Sequence, residues 1–242
     1  MSAWDIFVQQ FVANGGYKTV LTGLANTVFI AVFGLILGFI IGSLIAVIKV
    51  VPAYKNPLII VLQRIGDIYV TVFRGTPMVV QLLIVHYILF PLMNIDFGDI
   101  VLSQNYVVQG VVIEAILTFA LNSAAYISEI MRGGINSVDK GQLEAGRALG
   151  MSYPKAMTSI VVPQAFKNVL PTLGNEFIAL IKETSVAGFI SVLDLTRAFQ
   201  NIANSTYEFI VPYLMLALFY LVLVLFITLL VRLLERRLKK SA

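Results

Sequence analysis

The chain has 242 residues, of which 59% are hydrophobic and only 12% charged, and its mean hydropathy is +0.90. Such a composition excludes an ordinary soluble domain and places the chain among membrane proteins. The net charge of +4 is too modest and too dispersed for a nucleic-acid partner, and the absence of cysteine excludes disulfides and thiolate metal sites. A lone histidine, His86, sits in an apolar run. It cannot build a metal site by itself and reads as a packed or water-facing side chain.

Residues Met1–Thr19 are mixed in character. Met1–Phe11 carries Asp5 and no positive region, unlike a cleaved signal peptide. Trp4, Phe7, Val8 and Phe11 share one face of a short amphipathic helix suited to a membrane surface. Thr19–Ile48 carries no charge and exceeds the ~20 residues needed to cross a bilayer. Within it Gly34, Gly38 and Gly42 recur every fourth position, which predicts one face for close helix packing. Lys49, Pro52 and Lys55 mark a turn. Asn56–Phe73 is apolar but carries Gln63, Arg64 and Asp67, and Arg74-Gly75-Thr76-Pro77 interrupts it. Two readings follow: a helix at the cytoplasmic side with Met78–Pro91 completing the crossing, or one long kinked span.

Asn94–Gln104 holds Asp96 and Asp99 without Lys or Arg and reads as an outside loop. Tyr106–Met131 is the third span, with Glu114 and Glu129 near its ends and Asn122-Ser123 near its middle. Polar groups at that depth must face protein or a wet cavity. Asp139–Pro163 is the main polar stretch between apolar segments. Asp139 caps a short helix running through about Leu149, Gly150 suits the left-handed position beyond it, and Ser152 and Pro154 start a second short helix. Leu143, Gly146 and Gly150 fall on one face of the first helix, where small residues would let another protein approach closely, with Glu144, Arg147 and Ala148 beside them.

Ala165–Gly188 is the fourth and most polar span, containing Asn168, Pro171, Asn175, Glu176, Lys182, Glu183, Thr184 and Ser185. Such a helix suits lining a path. The alternative is a buried helix with paired charges, Glu176 to Lys182 or Arg132. Ser191–Tyr207 reads as an outer helix. Phe209–Val231 is a charge-free fifth span, followed by Arg232, Arg236, Arg237, Lys239 and Lys240.

With five spans, twelve Lys and Arg lie on one side and two, Lys18 and Arg197, on the other. The positive-inside rule then puts the N-terminus outside, with the C-terminus and the polar loop in the cytoplasm. The expected fold is therefore all-α: a single transmembrane domain over 1–242, with five transmembrane helices and a cytoplasmic loop at 132–164.

Four stretches carry a family resemblance. Glu144-Ala145-Gly146, then Gly150, Ile160 and Pro163, resembles the EAA loop of ABC importer permeases, with Gly146 in place of the third Ala and Val162 in place of Leu. Tyr69–Leu83, containing F-R-G-T-P, is similar to a segment of polar amino acid permeases, though Thr71 stands where many carry an acidic residue. Tyr126–Gln142 and the N-E and K-E-T-S letters of the fourth span match the same family. The resemblance implies that Glu144, Ala145, Gly146, Arg147 and Gly150 dock on a cytoplasmic ATP-binding subunit. It further implies a second permease chain, identical or different, an external substrate-binding protein, and membrane lipid around the spans. Asn122, Asn175, Glu176, Lys182 and Thr184 would line the path of an amino acid substrate.

The chain has no G-x-x-x-x-G-K-[ST] phosphate loop and no Ser/His/Asp set, so no cofactor and no catalysis are expected here. ATP and Mg would belong to the partner ATPase, in a bacterial inner membrane. Two other classes fit the composition: an ion-coupled carrier or channel using Glu114, Glu129 and Glu176, and a non-transporting scaffold.

Overall fold

The computed structural model describes residues 2–54, 56–103 and 106–240. Lys55 of the expected turn and Gln104 of the expected outside loop lie outside the described residues. The chain folds as a short helix α1 (Ala3–Val8), the long α2 (Gly16–Val50), α3 (Pro57–Gly75), α4 (Met78–Ile84) and α5 (Phe90–Leu92). A two-stranded hairpin, β1 (Ile100–Ser103) with β2 (Tyr106–Val108), precedes α6 (Gly110–Asn136). Then come α7 (Lys140–Ala148), α8 (Tyr153–Ala156), α9 (Val162–Glu183), α10 (Leu195–Thr206) and α11 (Ile210–Lys240).

The centre of the fold is the contact of α2 with α6. A side chain on Gly34 would come within 3.2 Å of the Phe119 Cβ, on Gly38 within 2.9 Å of the Ser123 Cβ, and on Gly42 within 2.6 Å of the Ala124 carbonyl oxygen. The expected glycine face is therefore the seam itself, and α6 answers it with Ala120, Ser123 and Ala124, all buried. Ile30, Ala31, Phe119, Leu180 and Ile181 fill the core around it.

The stretch after α2 takes the broken form of the two expected. The pair formed by α3 and the segment Met78–Leu92 is bent by 109° at residues 76–77. Gln63 closes the preceding turn by donating to the Ile48 and Val51 carbonyls, at 3.1 and 2.9 Å. Lys49 bridges Asp67 on α3, at 3.0 Å, to Glu129 on α6, at 2.6 Å, and Arg132 completes the network on Glu129 at 2.6 Å. Neither alternative pairing of Glu176, with Lys182 or with Arg132, occurs among the described residues. The His86 Nδ1 pairs with the Glu114 carboxylate.

Three boundaries differ from the sequence expectation. The all-α reading misses the hairpin, so the third span starts at Gly110 rather than Tyr106 and runs on to Asn136. The adjacent β-branched pairs Ile100-Val101 and Val107-Val108 favour the strands, and Asp99 accepts the Gly110 N–H at the head of the helix. Second, α8 is not a separate short helix. It continues through a wide π turn at Met157–Val161 straight into α9. Third, α9 ends at Glu183 and tightens into a 3₁₀ segment, Thr184–Ile190. Trp4, Phe7, Val8 and Phe11 do not form one exposed face: Phe7 is buried against α10 and stacks on Phe11, while Trp4 and Val8 are exposed.

Among the described residues three helices, α2, α6 and α11, are long and apolar enough to cross a membrane, and the bent pair makes a fourth if counted as one span. Helix α9 is not among them. Its polar residues set it apart from the other long helices, as its sequence foretells.

At the opposite end of the seam from the ion network, Thr27 accepts the Leu195 N–H at 3.1 Å and Asn26 donates to the Leu193 carbonyl at 2.9 Å. Asp194, fully buried, caps α10 by accepting the N–H groups of Thr196 and Arg197. Burial outweighs those bonds and pushes the Asp194 carboxyl up to about 6.

Two outcomes follow from this packing. Gly42→Leu should lower stability by about 1–3 kcal/mol, because the added side chain meets backbone rather than a movable neighbour. Thermal melting in detergent reads the loss. The Asp194 carboxyl holds its proton more tightly folded than unfolded, so its stabilising contribution is present below about pH 4 and is lost as pH rises towards 6. Asp194→Asn keeps the bond from the Arg197 N–H through its one amide oxygen and removes that decline. Its melting temperature should gain on the wild type between pH 4 and pH 7, by the equivalent of about 2–3 kcal/mol.

Candidate functional site

The polar loop between α6 and α9 is built as a rigid presenting platform. Asp139 caps α7 by accepting the Gly141 N–H at 2.7 Å. The helix stops where Gly150 takes φ of +85°, and the Met151 N–H donates back to the Gly146 carbonyl at 3.1 Å. That return closes the helix end in the manner of a left-handed C-terminal cap. The Arg147 guanidinium donates to the Met151 carbonyl at 3.3 Å and ties the end down further.

This platform turns its faces opposite to the small-residue reading. Gly146 is buried, and a Cβ there would meet the Ile160 Cδ1 at 2.8 Å. Leu143 packs the same way, beside Val138, Val161 and Ala165. Gly146 therefore seats the helix and is not itself a docking surface. Its replacement of alanine is explained by the isoleucine beneath it. Glu144, Ala145, Arg147 and Gly150 are exposed, as expected. Leu149 joins them at 85% exposure, an apolar side chain that sequence reasoning passed over. Behind the platform a cavity of about 570 Å³, lined by Val50, Ile135, Leu143, Tyr153 and Met157, separates it from the ends of α2 and α6.

The five residues expected along the path divide into two groups. Asn122 is 4% exposed. Its amide donates to the Phe73 carbonyl at 3.3 Å and to the Gln81 Oε1 at 2.9 Å. Gln81 in turn donates to Phe73 O at 2.8 Å and to Thr76 O at 3.0 Å. Together they satisfy the carbonyls released where α3 breaks, the condition under which irregular backbone is tolerated inside a bilayer. Thr184 is fully buried and donates to the Ile181 carbonyl at 2.7 Å. Both residues hold backbone and neither is free to meet a solute.

Asn175 and Lys182 are exposed, and Glu176 is half-buried, accepting one long bond from the Ser123 hydroxyl at 3.4 Å. These three stand together on α9. Sequence reasoning missed Gln81 and Arg74. The signal for Gln81 was a glutamine in an otherwise apolar run, four residues past Pro77. Arg74 lies with its guanidinium 5.3 Å from the centre of the Tyr126 ring.

Comparison with known proteins gives this arrangement a family. The family described as binding-protein-dependent transport system inner membrane component matches residues 38–240. The chain belongs to that family. It is 39% identical over 222 residues to the arginine transport system permease protein ArtQ of Bacillus subtilis, covering 92% of this chain and 93% of that protein. It is 36% identical over 241 residues to the L-cystine transport system permease protein TcyB of the same organism, covering 98% and 92%. It is also 36% identical over 218 residues to a putative glutamine transport system permease protein GlnP of Rickettsia typhi, covering 90% and 92%. Among solved structures, a chain from an amino acid ABC transporter with histidines matches with a TM-score of 0.78 and 34% identity, over 94% of this chain and 98% of that one. A chain of the inward-facing MetNI methionine transporter, 15% identical with a TM-score of 0.73, shares the fold.

Membership makes this chain a multi-pass membrane permease subunit of an ABC importer. It is a transport component rather than an enzyme, with ATP hydrolysis on a separate chain. The family works with an ATP-binding subunit and a substrate-binding protein.

The split among the path residues is open to test. Asn122→Leu leaves the Gln81 Oε1 without the donor that Asn122 supplies and should lower stability by about 1–3 kcal/mol. Asn175→Leu, at an exposed position, should leave the melting temperature in detergent within a degree or two.

Proposed function

We propose that the chain is one of two permease subunits of an ATP-driven importer for polar amino acids in a bacterial inner membrane. The observation that carries the reading is the capped, exposed helix α7. It stands on the side of the chain richest in lysine and arginine, where ATP is available. Five spans, counting the bent pair and the polar α9, put the N-terminus outside and the coupling loop 132–164 inside. The relatives named for arginine, cystine and glutamine transport support the substrate class.

In this reading an ATPase subunit carrying ATP and Mg receives Glu144, Ala145, Arg147, Leu149 and Gly150. A second permease chain, identical or different, covers the polar face of α9, which is unstable against lipid alone. An external binding protein delivers the solute. Closure of the ATPases moves α7 and rocks the spans from inward-open to outward-open.

Glu144→Lys tests the docking role. The residue is exposed, so membrane insertion and folding should stay within about 0.5 kcal/mol of wild type. Uptake should fall at least about tenfold, since a reversed charge at an interface opposes its partner. Affinity purification of the tagged chain in mild detergent should recover an ATPase with wild type and lose it with the variant. Wild-type uptake by the variant would count against the docking surface. Uptake that runs on an ion gradient without ATP would count against the importer.

A further inference from the structure

The platform of α7 does not sit flush on the spans. Behind it lies the cavity of about 570 Å³, and a second cavity of about 420 Å³ adjoins that one. Val50, Ile135, Tyr153 and Met157 line both, so the two form one cleft. Among the described residues, none of those expected along the path lines it. The second cavity extends one turn back along α2, to Val47, and is bounded by Pro52, Ile59 and Val162. Val47, Val51 and Val162 on its rim are exposed, on or beside helices that belong in the bilayer.

This end of the cleft is unsuited to ordered water, which needs about two to four polar partners. Its polar side chains are Tyr54, Tyr153 and Thr158, and the Thr158 hydroxyl is committed to the Pro154 carbonyl at 2.9 Å. Tyrosines beside the ends of spans suit the membrane–water boundary, where the ring is dry and the hydroxyl wet. An apolar cavity that opens towards a bilayer at that level fills with an acyl chain.

The other end is polar and carries a definite charge pattern. Lys140 and Glu144 stand one turn apart on α7 and both line it. Neither joins an ion pair among the described residues. Side chains so spaced start ~5–6 Å apart. Asp139 adds a second carboxylate to the lining. One cation beside two carboxylates repels an anionic head group and suits a head that brings its own ammonium. In an ethanolamine phosphate the ammonium and the phosphate are joined by two carbons, a span that this pair of side chains matches.

We propose that the cleft is a binding site for phosphatidylethanolamine from the leaflet on the side of α7. One acyl chain fills the apolar end. Lys140 binds the phosphate, and Glu144 accepts hydrogen bonds from the ammonium. A choline head has no N–H to give Glu144, and a glycerol head brings no cation to offset the carboxylates. The lipid fills the space between α7 and the ends of α2 and α6, so a push on the platform reaches the spans through it. Glu144 also faces the ATPase in the reading above, so the test keeps the ATPase in place.

That test is native mass spectrometry of the delipidated permease–ATPase complex in mild detergent. The probes are phosphatidylethanolamine, phosphatidylcholine and phosphatidylglycerol, each with two oleoyl chains. One spectrum weighs ATPase and lipid together, so binding is read on species that keep the ATPase. Wild type should bind one ethanolamine lipid per permease chain, at least about tenfold more tightly than either of the others, as one charge-assisted hydrogen bond provides. Lys140→Gln should weaken all three alike. Glu144→Gln should erase the preference over the choline lipid and strengthen the glycerol lipid. Val50→Trp narrows the cleft where its two ends meet and should weaken all three. Val47→Trp, on the exposed rim, serves the same purpose should Val50→Trp not fold. Equal affinity of the wild type for the three lipids would overturn the site, as would unchanged preferences in Glu144→Gln. Binding to the permease alone that vanishes in the complex would overturn it too, and would show the ATPase filling the cleft.

Discussion

The close approach of α2 and α6 sets everything else in place. Three glycines at every fourth position of α2 bring its backbone against the small residues of α6. No apolar driving force separates helix from lipid inside a bilayer, so dense packing of this kind supplies the attraction that water would supply outside it. Both ends of the seam are then fixed by polar bonds. Lys49 holds α3 to α6 at one end, and Thr27 and Asn26 hold the start of α10 at the other. Helix α9 packs on the outer surface of this pair.

The elbow at residues 76–77 shows what a break inside a membrane requires. Proline and glycine free carbonyls that lipid cannot satisfy. Here one glutamine and one asparagine, from two different helices, take them over. Because Asn122 is committed to that task, the wet side of the fold is left to α9 and to the arginine just before the break. The polar residues of this chain thus fall into two kinds, those that repair backbone and those that remain available.

Local features were legible in the sequence, and long-range partners were not. The glycine face, the Asp139 cap and the stop at Gly150 depend on neighbours within a turn or two, and the letters state them directly. Asn122 and Thr184 read as path residues because their polarity is visible while their partners are not. Phe73 lies far from Asn122 in the chain, and nothing in the spacing links them. Gly146 reads as an open face until Ile160 is placed beneath it. The hairpin at residues 100–108 escaped notice because its strands are short, four and three residues, and sit in a loop whose acidic residues dominate its character. Helix α9 was the reverse case: its polarity was plain in the letters, and Asn175 and Lys182 are exposed while Glu176 is half-buried.

The unbroken run from α8 through the wide turn into α9 has a mechanical corollary. From Tyr153 to Glu176 the chain has helical rise throughout, ~1.5 Å per residue, which makes a rod of roughly 35 Å. One end lies under α7, where Ala156 and Ile160 touch Gly146, and the other carries the carboxylate at mid-depth. Tilting the near end by a small angle displaces the far end sideways by several ångströms. Along this rod the widened turn at 157–161 and Pro171 interrupt the regular hydrogen-bond ladder, so they are points at which it bends most easily.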